Sequence, residues 1–400
     1  MSKELKIYRK YASFVKRFLL LSGMCPITKE RDVFYRCISI WSIFSSFISL
    51  CAVGNFCSQN VQNIPLLTAS QTKIFKIRDS IYACCFFIYQ NKLQQANDIL
   101  SSMLEQALSE TDIRSIAFSW VRTFYRLIYV QCTLMSITST IYAFKPLITR
   151  ILYHANSTTN LQYSLPFPAS YPWTIDSMLV WQLHYLFDLN IIWNIISVST
   201  GVDGFFSFCI FRISVMLRLL GFDFEMRFSI DEKNKANKEY EANRKRIFQE
   251  CVNKHVLLLK CRDIVQEAYG PVILLMTITS ATSLCTLIFQ VLQVRFPIKI
   301  IEKILYTTSV RGQIVGKIIM CTVFISTKLL QTFLYAWPAN VILIEVRRCT
   351  CLLSFAKGFT LILAQRSIVL KACDLMQVSL DLFVKVLNTA VSYYFLNLQG

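Results

Sequence analysis

The residue types that most often perform chemistry are few and scattered in this 400-residue chain. The histidines His154, His184 and His255 lie far apart, and none has a second histidine at helical spacing. None of the 15 cysteines belongs to a C-x-x-C pair. No G-x-S-x-G, Walker A or dinucleotide fingerprint occurs, and GVDG at 201–204 is too short for a phosphate loop. The sequence therefore predicts no enzyme, no metal site and no cofactor.

One polar pattern does occur, on the apolar segment 376–396 near the end of the chain. At helical spacing, small or polar side chains share one face with a bulky apolar residue near the outer end. Such a stripe suits a pore lining shared between subunits, with the apolar residue as a constriction that gates by dewetting. A polar contact between helices is the alternative interpretation. The stripe consists of Lys385, Thr389, Ser392, Leu396 and Gln399.

The composition indicates a membrane as the surroundings of these residues. Hydrophobic residues make up 54% of the chain and charged residues only 16%, with a mean hydropathy of +0.45. Soluble domains carry about 25% charged residues. A membrane-spanning helix needs about 20 mostly apolar residues, and seven segments fit this length. They are residues 35–56, 64–89, 124–148, 175–200, 265–292, 315–343 and 376–396.

Two of these spans carry a local complication. Segment 64–89 contains four charged residues, so two short segments are an alternative to one span. In segment 315–343, Trp337-Pro338 is predicted to kink or end the helix, because proline removes a backbone donor. The predicted fold class is an all-α integral membrane protein with seven transmembrane helices.

The net charge of +18 reports orientation rather than a nucleic-acid partner. With the N-terminus in the cytoplasm, the inner segments hold 27 Lys and Arg residues and the outer segments hold 5. The positive-inside rule then predicts a cytoplasmic N-terminus and an extracellular C-terminus, with inner basic residues near anionic membrane lipid. This places the glycosylation sequon at Asn156 outside and argues against a G-protein-coupled receptor.

Four motifs in this order resemble the insect odorant receptor family across nearly the whole chain. LPFPASYPWTID (165–176) resembles its second outer loop, and CVNKHVLLLKCRDIVQEAYGPVILL (251–275) its cytoplasmic approach to the fifth span. LLQTFLYAWPANVILIE (329–345) is similar to its sixth-span exit. AQRS (364–367) with SLDLFVKVLNTAVSYYFLNL (379–398) is similar to its C-terminal pore segment.

The resemblance implies an odorant-gated, nonselective cation channel in the plasma membrane of a sensory dendrite. It implies a tetramer with a shared coreceptor subunit and a small volatile organic ligand. Leu396 and Gln399 match its pore-constriction positions. Because Ser392-Tyr393 precedes Gln399 by a spacing similar to that of gustatory receptors, a gustatory-type channel is the alternative.

The resemblance also implies an organisation in four parts. Residues 1–34 form a cytoplasmic segment, and 35–345 form six spans with an outer ligand pocket and a cytoplasmic loop at 216–262. Residues 346–375 form a shortened cytoplasmic anchor, and 376–400 the pore-lining helix. Apolar volatiles bind through shape with a few orienting polar groups. Spans three, four and six are predicted to supply Ser136, Thr140, Tyr142, Phe144, Val180, His184, Phe187, Ile191, Met320 and Phe324.

Overall fold

The structure is a computed structural model that describes residues 3–25, 33–59, 72–108, 118–154, 165–166, 171, 177–232, 238–301, 308–354 and 368–399. These residues form eight helices and one two-stranded antiparallel sheet. The elements are α1 (Lys3–Leu21), α2 (Val33–Gln59), α3 (Thr72–Leu108), α4 (Val121–His154), α5 (Met178–Glu232), α6 (Lys238–Ile301), α7 (Thr308–Ser354), β1 (Lys371–Ala372), β2 (Met376–Gln377) and α8 (Leu380–Gln399).

The predicted spans lie on helices that are mostly longer than a membrane requires. Helices α5, α6 and α7 contain 55, 64 and 47 residues. At 1.5 Å per residue, α5 is roughly 80 Å long, whereas the apolar core of a bilayer is about 30 Å thick. A loop is predicted at 216–262. In the structure most of these residues are helical and belong to the end of α5 and the start of α6.

Five of the described helices, α2 and α4 to α7, are long and apolar enough to cross a membrane. The segment at 64–89 contributes to α3, which is one continuous helix from Thr72 to Leu108 rather than two short ones. Residues 64–71 lie outside the described part. The last helix begins at Leu380 instead of residue 376, because Met376 pairs with Ala372 in the small sheet.

Helix α7 continues through Pro338, so of the two predicted outcomes, a kink or an end, the end is wrong. The residue before Pro338, Trp337, packs against several aromatic rings. The Trp337 ring lies 4.8 Å from Phe124 and 5.9 Å from Trp120 by ring centroids, and it stacks on Phe333 within its own helix. A membrane helix tolerates proline where its neighbours enclose the freed backbone groups.

Helix α1 is part of the core, although its six basic residues suggested a polar cytoplasmic segment. Its apolar face recurs at helical spacing and carries Tyr8, Tyr11, Val15 and Leu19, all buried. This face packs on α5 at Gly201 and Gly204. A Cβ atom at Gly201 would lie 3.2 Å from Leu19 Cδ2, so glycine permits the close approach of the two helices.

A buried arginine ties α1 to two further helices. Arg212 of α5 donates to the Tyr8 hydroxyl of α1 at 2.9 Å. It also donates to two side chains of α3, Asn97 Oδ1 at 2.8 Å and Ser101 Oγ at 3.1 Å. Burial raises the pKa of the Tyr8 hydroxyl, and the Arg212 guanidinium opposes that rise. Tyr8 therefore remains a neutral hydroxyl that accepts the hydrogen bond.

The hairpin of β1 and β2 precedes the last helix and rests on α6. Cys373 and Asp374 form its tip with φ of 50° and 56°. Arg262 donates to the Val369 carbonyl at 3.0 Å, and Gln266 Oε1 accepts from the Lys371 amide at 3.1 Å. Because Arg262, Gln266 and Gly270 recur at i+4 spacing, the hairpin lies along one stripe of α6.

Candidate functional site

A cluster around Tyr142 brings together five of the ten predicted ligand residues. The Tyr142 ring of α4 meets the Phe324 ring of α7 edge-on at a centroid distance of 5.5 Å. Met320, one turn earlier in α7, packs in the same cluster. On its other side Tyr142 packs with Phe187 and Ile191 of α5. We call these five residues the Tyr142 cluster: Tyr142, Phe187, Ile191, Met320 and Phe324.

The remaining predicted ligand residues divide into two groups. Ser136 and Val180 are half-buried, and His184 is 9% exposed with its ring 4.6 Å from that of Tyr171. Thr140 is exposed, and its hydroxyl bonds back to the Ser136 carbonyl at 2.8 Å. Phe144 is 54% exposed. The structure therefore does not bring Thr140 and Phe144 into the Tyr142 cluster.

Beneath the Tyr142 cluster lies a buried polar network centred on Asp203, which is 1% exposed. Asp203 Oδ2 accepts from Gln131 at 2.6 Å, from Gln331 at 2.8 Å and from Ser199 at 3.3 Å. Tyr335 donates to the other carboxylate oxygen. Because these donors belong to α4, α5 and α7, one carboxylate holds three helices together.

Sequence reasoning did not identify this network. The predicted fourth span ends at residue 200, before Asp203, and the GVDG stretch that contains Asp203 is too short for a phosphate loop. The missed signal was a carboxylate within a long apolar run, since an ionisable residue inside a membrane helix usually faces partners in the protein interior. The same signal marks Asp188, which is fully buried and accepts from the Tyr171 hydroxyl at 3.4 Å.

The last helix presents its polar stripe away from the rest of the chain. Val386 and Ala390 are buried against Leu284 of α6. Lys385, Thr389 and Ser392 are exposed. Leu396 and Gln399 belong to the final turns of α8, but their side chains lie outside the described part, as does Asn156.

The described residues hold no group of three or more His, Cys, Asp or Glu side chains that could bind a metal ion. The site is instead an apolar cluster, a buried carboxylate network and an outward polar helix face. Such an arrangement can bind a small apolar molecule and transmit force between helices.

The class of protein follows from comparison with solved structures. The fold matches two structures of the insect olfactory receptor OR5 from Machilis hrabei, one of them in complex with eugenol. The TM-scores are 0.68 for the eugenol complex and 0.70 for the other, at 15% sequence identity, and each match covers 100% of both chains. The chain is therefore an all-α integral membrane protein with seven transmembrane helices, as predicted.

The family follows from the sequence itself. The sequence model of the 7tm Odorant receptor family matches residues 62–348, which is most of the chain. The protein belongs to this family, and the resemblance found in the four motifs is confirmed. Its members are receptors and ion channels rather than enzymes. No curated protein matches the sequence.

Proposed function

We propose that the chain is the odorant-binding subunit of a ligand-gated, nonselective cation channel that works as a tetramer with a coreceptor subunit. Family membership supports the receptor function. The observation that carries the channel function is the outward polar stripe of α8. A polar face turned away from a subunit's own helices needs water or another subunit beside it, and a pore supplies both.

Two side chains of this proposed pore lining, Thr389 and Ser392, are small and polar, which suits hydrated ions. Thr389 bonds to the Lys385 carbonyl at 2.9 Å, so its hydroxyl hydrogen is directed to the helix and its oxygen outward. Lys385 opposes cation flow, and Asp381 one turn earlier, also exposed, provides the compensating charge. Leu396 is the proposed constriction, with Gln399 beyond it.

The Tyr142 cluster is the proposed place where the ligand binds. Its side chains come from α4, α5 and α7 and are apolar or aromatic, as a pocket for a small volatile molecule requires. Eugenol, the ligand in one of the similar OR5 structures, is a molecule of this kind. His184, Val180 and Ser136 extend the proposed site beyond the cluster.

Gating follows as a shift of population between closed and open states. A ligand opens the channel only if it binds the open state more tightly. Helix α7 connects the Tyr142 cluster with the Asp203 network. Phe324 of α7 lies in the cluster, and Gln331 and Tyr335, further along α7, bind Asp203. Ligand binding then shifts α7, and α8 packs directly on α6 and α7.

The proposed surroundings are the plasma membrane of a sensory dendrite, with the N-terminus in the cytoplasm. The 27 to 5 distribution of basic residues supports this orientation. Asn156 is then an extracellular glycosylation site.

The function is tested by recording currents from cells that express the chain with a coreceptor, the chain alone and the coreceptor alone. We expect volatile-evoked cation current only from the pair. Current from the chain alone would indicate a gustatory-type channel instead. The variant Leu396→Ala should raise the current without ligand, while Val391→Ala, on an exposed face away from the stripe, should not. Unchanged resting current and permeation in Leu396→Ala would place the constriction elsewhere.

A further inference from the structure

An aromatic contact joins α1 to α4. The centroid of the Phe14 ring of α1 lies 6.1 Å from that of Tyr125 and 6.3 Å from that of Tyr129, both of α4. Phe14 and Tyr125 are half-buried, whereas Tyr129 is 54% exposed. We call these three residues the aromatic seam. In the described part of the chain the seam is therefore covered at Tyr125 and open at Tyr129.

Two cations of α1 flank this seam. Lys10 lies four residues before Phe14 and Arg17 three residues after it, so both share the face of α1 that carries Phe14. Both are exposed. Two further exposed cations, Arg9 and Lys16, lie five residues before and two residues after Phe14, which places them on the opposite side of the helix. The basic residues of α1 therefore occupy two faces, and only one of these borders the seam.

Two arginines of α4 flank the seam from the other helix. Arg122 lies three residues before Tyr125, and Arg126 lies three residues before Tyr129. Residues at this spacing are neighbours on a helix surface. Both arginines are exposed. Four cations from two helices thus surround one aromatic surface.

No carboxylate of the described chain pairs with these four cations. Helix α4 contains no Asp or Glu, and α1 contains only Glu4, which lies on a different side of the helix from Lys10. The ion pairs of the described residues all lie on other elements. Like charges that gather without an anion repel one another, so the arrangement favours an anion from outside the chain.

The seam lies at the depth of the lipid headgroups in the proposed orientation. Arg122 lies two residues before the predicted third span, 124–148, and Tyr129 lies in the second turn of that span. Tyrosines are enriched where a membrane meets water, because the ring is apolar and the hydroxyl is polar. With the N-terminus in the cytoplasm, this end of α4 meets the cytoplasmic leaflet, which holds the anionic lipids.

We propose that the aromatic seam and its four flanking cations bind the headgroup of a phosphoinositide, an inositol lipid with several phosphate groups, in the cytoplasmic leaflet. The inference rests on the orientation in the proposed function and not on channel activity. Phosphatidylserine carries a single net negative charge and would leave most of the cations unmatched, whereas a bisphosphorylated inositol supplies several charges. A guanidinium group also binds a phosphate through two parallel N–H donors. The acyl chains then lie against Tyr129.

The test measures the binding of a fluorescent, short-chain phosphatidylinositol 4,5-bisphosphate to the detergent-solubilised full chain. We expect this lipid to bind about tenfold or more tightly than phosphatidylserine with the same fluorophore and acyl chains. Two double variants, Arg122→Gln with Arg126→Gln and Lys10→Gln with Arg17→Gln, should each weaken its binding by about tenfold or more.

The matched control is the double variant Arg9→Gln with Lys16→Gln. It removes the same charge from the opposite side of α1, where solvent and salt screen the charges from the seam, so binding should change by no more than about twofold. Equal losses in the control and the seam variants would overturn the proposal, because net charge would then determine binding. Equal binding of phosphatidylserine by the wild-type chain would also overturn it. Equal binding of the free headgroup, inositol 1,4,5-trisphosphate, would indicate a soluble anion instead of a lipid.

Failure of this inference can be told apart from failure of the proposed function, because binding is measured without current. If the lipid binds as expected but no volatile evokes current, only the proposed function fails. If volatiles evoke current and the seam variants bind the lipid as the wild type does, only this inference fails. All six substituted residues are exposed, so the variants should fold. Should one of them unfold, the wild-type comparison of the two lipids and the other seam variant still decide the question.

Discussion

Gln131 Nε2 lies 2.6 Å from Asp203 Oδ2, and this hydrogen bond joins α4 to α5 in the interior of the helical bundle. Gln331 binds the same oxygen from α7 at 2.8 Å. The carboxylate is thus a shared acceptor for amides from two neighbouring helices. The effects of a substitution at Asp203 on the stability of the protein and on gating can therefore be measured in the same variant.

Replacing Asp203 by asparagine should destabilise the protein by about 2 to 3 kcal/mol. The NH2 group of asparagine replaces one carboxylate oxygen, so at least one buried donor loses its acceptor. The measurement is the melting temperature of the detergent-solubilised protein. Asp98→Asn, on the exposed face of α3, should change the stability by no more than about 0.5 kcal/mol. Equal melting temperatures for the two variants would show that the network contributes little.

Two ion pairs of different burial should respond differently to the same substitution. Arg218 and Glu345 form a buried pair, with side chains 11% and 2% exposed, whereas those of Lys92 and Glu267 are 52% and 48% exposed. Glu345→Gln leaves a buried guanidinium without its charge partner and should cost about 3 kcal/mol. Glu267→Gln should cost at most about 1 kcal/mol. Thermal unfolding of both variants checks the difference, and similar losses would contradict it.

Gly23 and Gly54 should show opposite effects of the change to alanine. Gly23 has φ of +72°, and a Cβ atom there would lie 2.6 Å from the Ser39 amide nitrogen. Gly23→Ala should therefore destabilise the contact between α1 and α2 by about 2 kcal/mol. Gly54 lies within α2 with nothing within 4 Å of such an atom, so Gly54→Ala should stabilise by about 0.5 to 1 kcal/mol. Melting temperatures test the sign, and a gain for Gly23→Ala would refute the assignment.

Tyr142 should be more important for ligand response than its exposed neighbour Phe144. Tyr142→Ala removes the ring that packs on both α5 and α7, and His184→Ala removes a buried side chain at the outer end. Both should shift the dose–response curve by tenfold or more while the amount of protein at the surface changes little. Phe144→Ala should leave the curve within about twofold, because loss of an exposed side chain alters little. If Phe144→Ala shifts the curve and Tyr142→Ala does not, the ligand binds elsewhere.

Much of the architecture was predictable because it depends on local properties of the chain. Segments such as 35–56 and 124–148 were long and apolar enough to be identified one at a time, and each lies on a helix of the structure. Helical spacing also placed Lys385, Thr389 and Ser392 on one face of α8, and all three are exposed in the structure. The hairpin before α8 was not predictable, since its two-residue strands depend on contacts with Arg262 and Gln266.

Other features depend on contacts between helices that the sequence does not show. Pro338 is predicted to kink or end its helix, but the helix continues through it, and the neighbouring Trp337 packs on Phe124 of α4. The basic residues of α1 predict a cytoplasmic segment but do not show that its apolar face packs on α5 through Gly201 and Gly204. In each case residues distant in sequence outweighed a local preference.

Membrane insertion and family membership could be inferred from the order of residues alone, because apolar length and motif order are local properties of one chain. It also predicted the face of α8 that lines the proposed pore. The surroundings of Asp188 and Asp203 became visible only in the folded chain. A carboxylate can be buried in an apolar bundle only where other side chains meet it, and those come from helices far apart in the sequence.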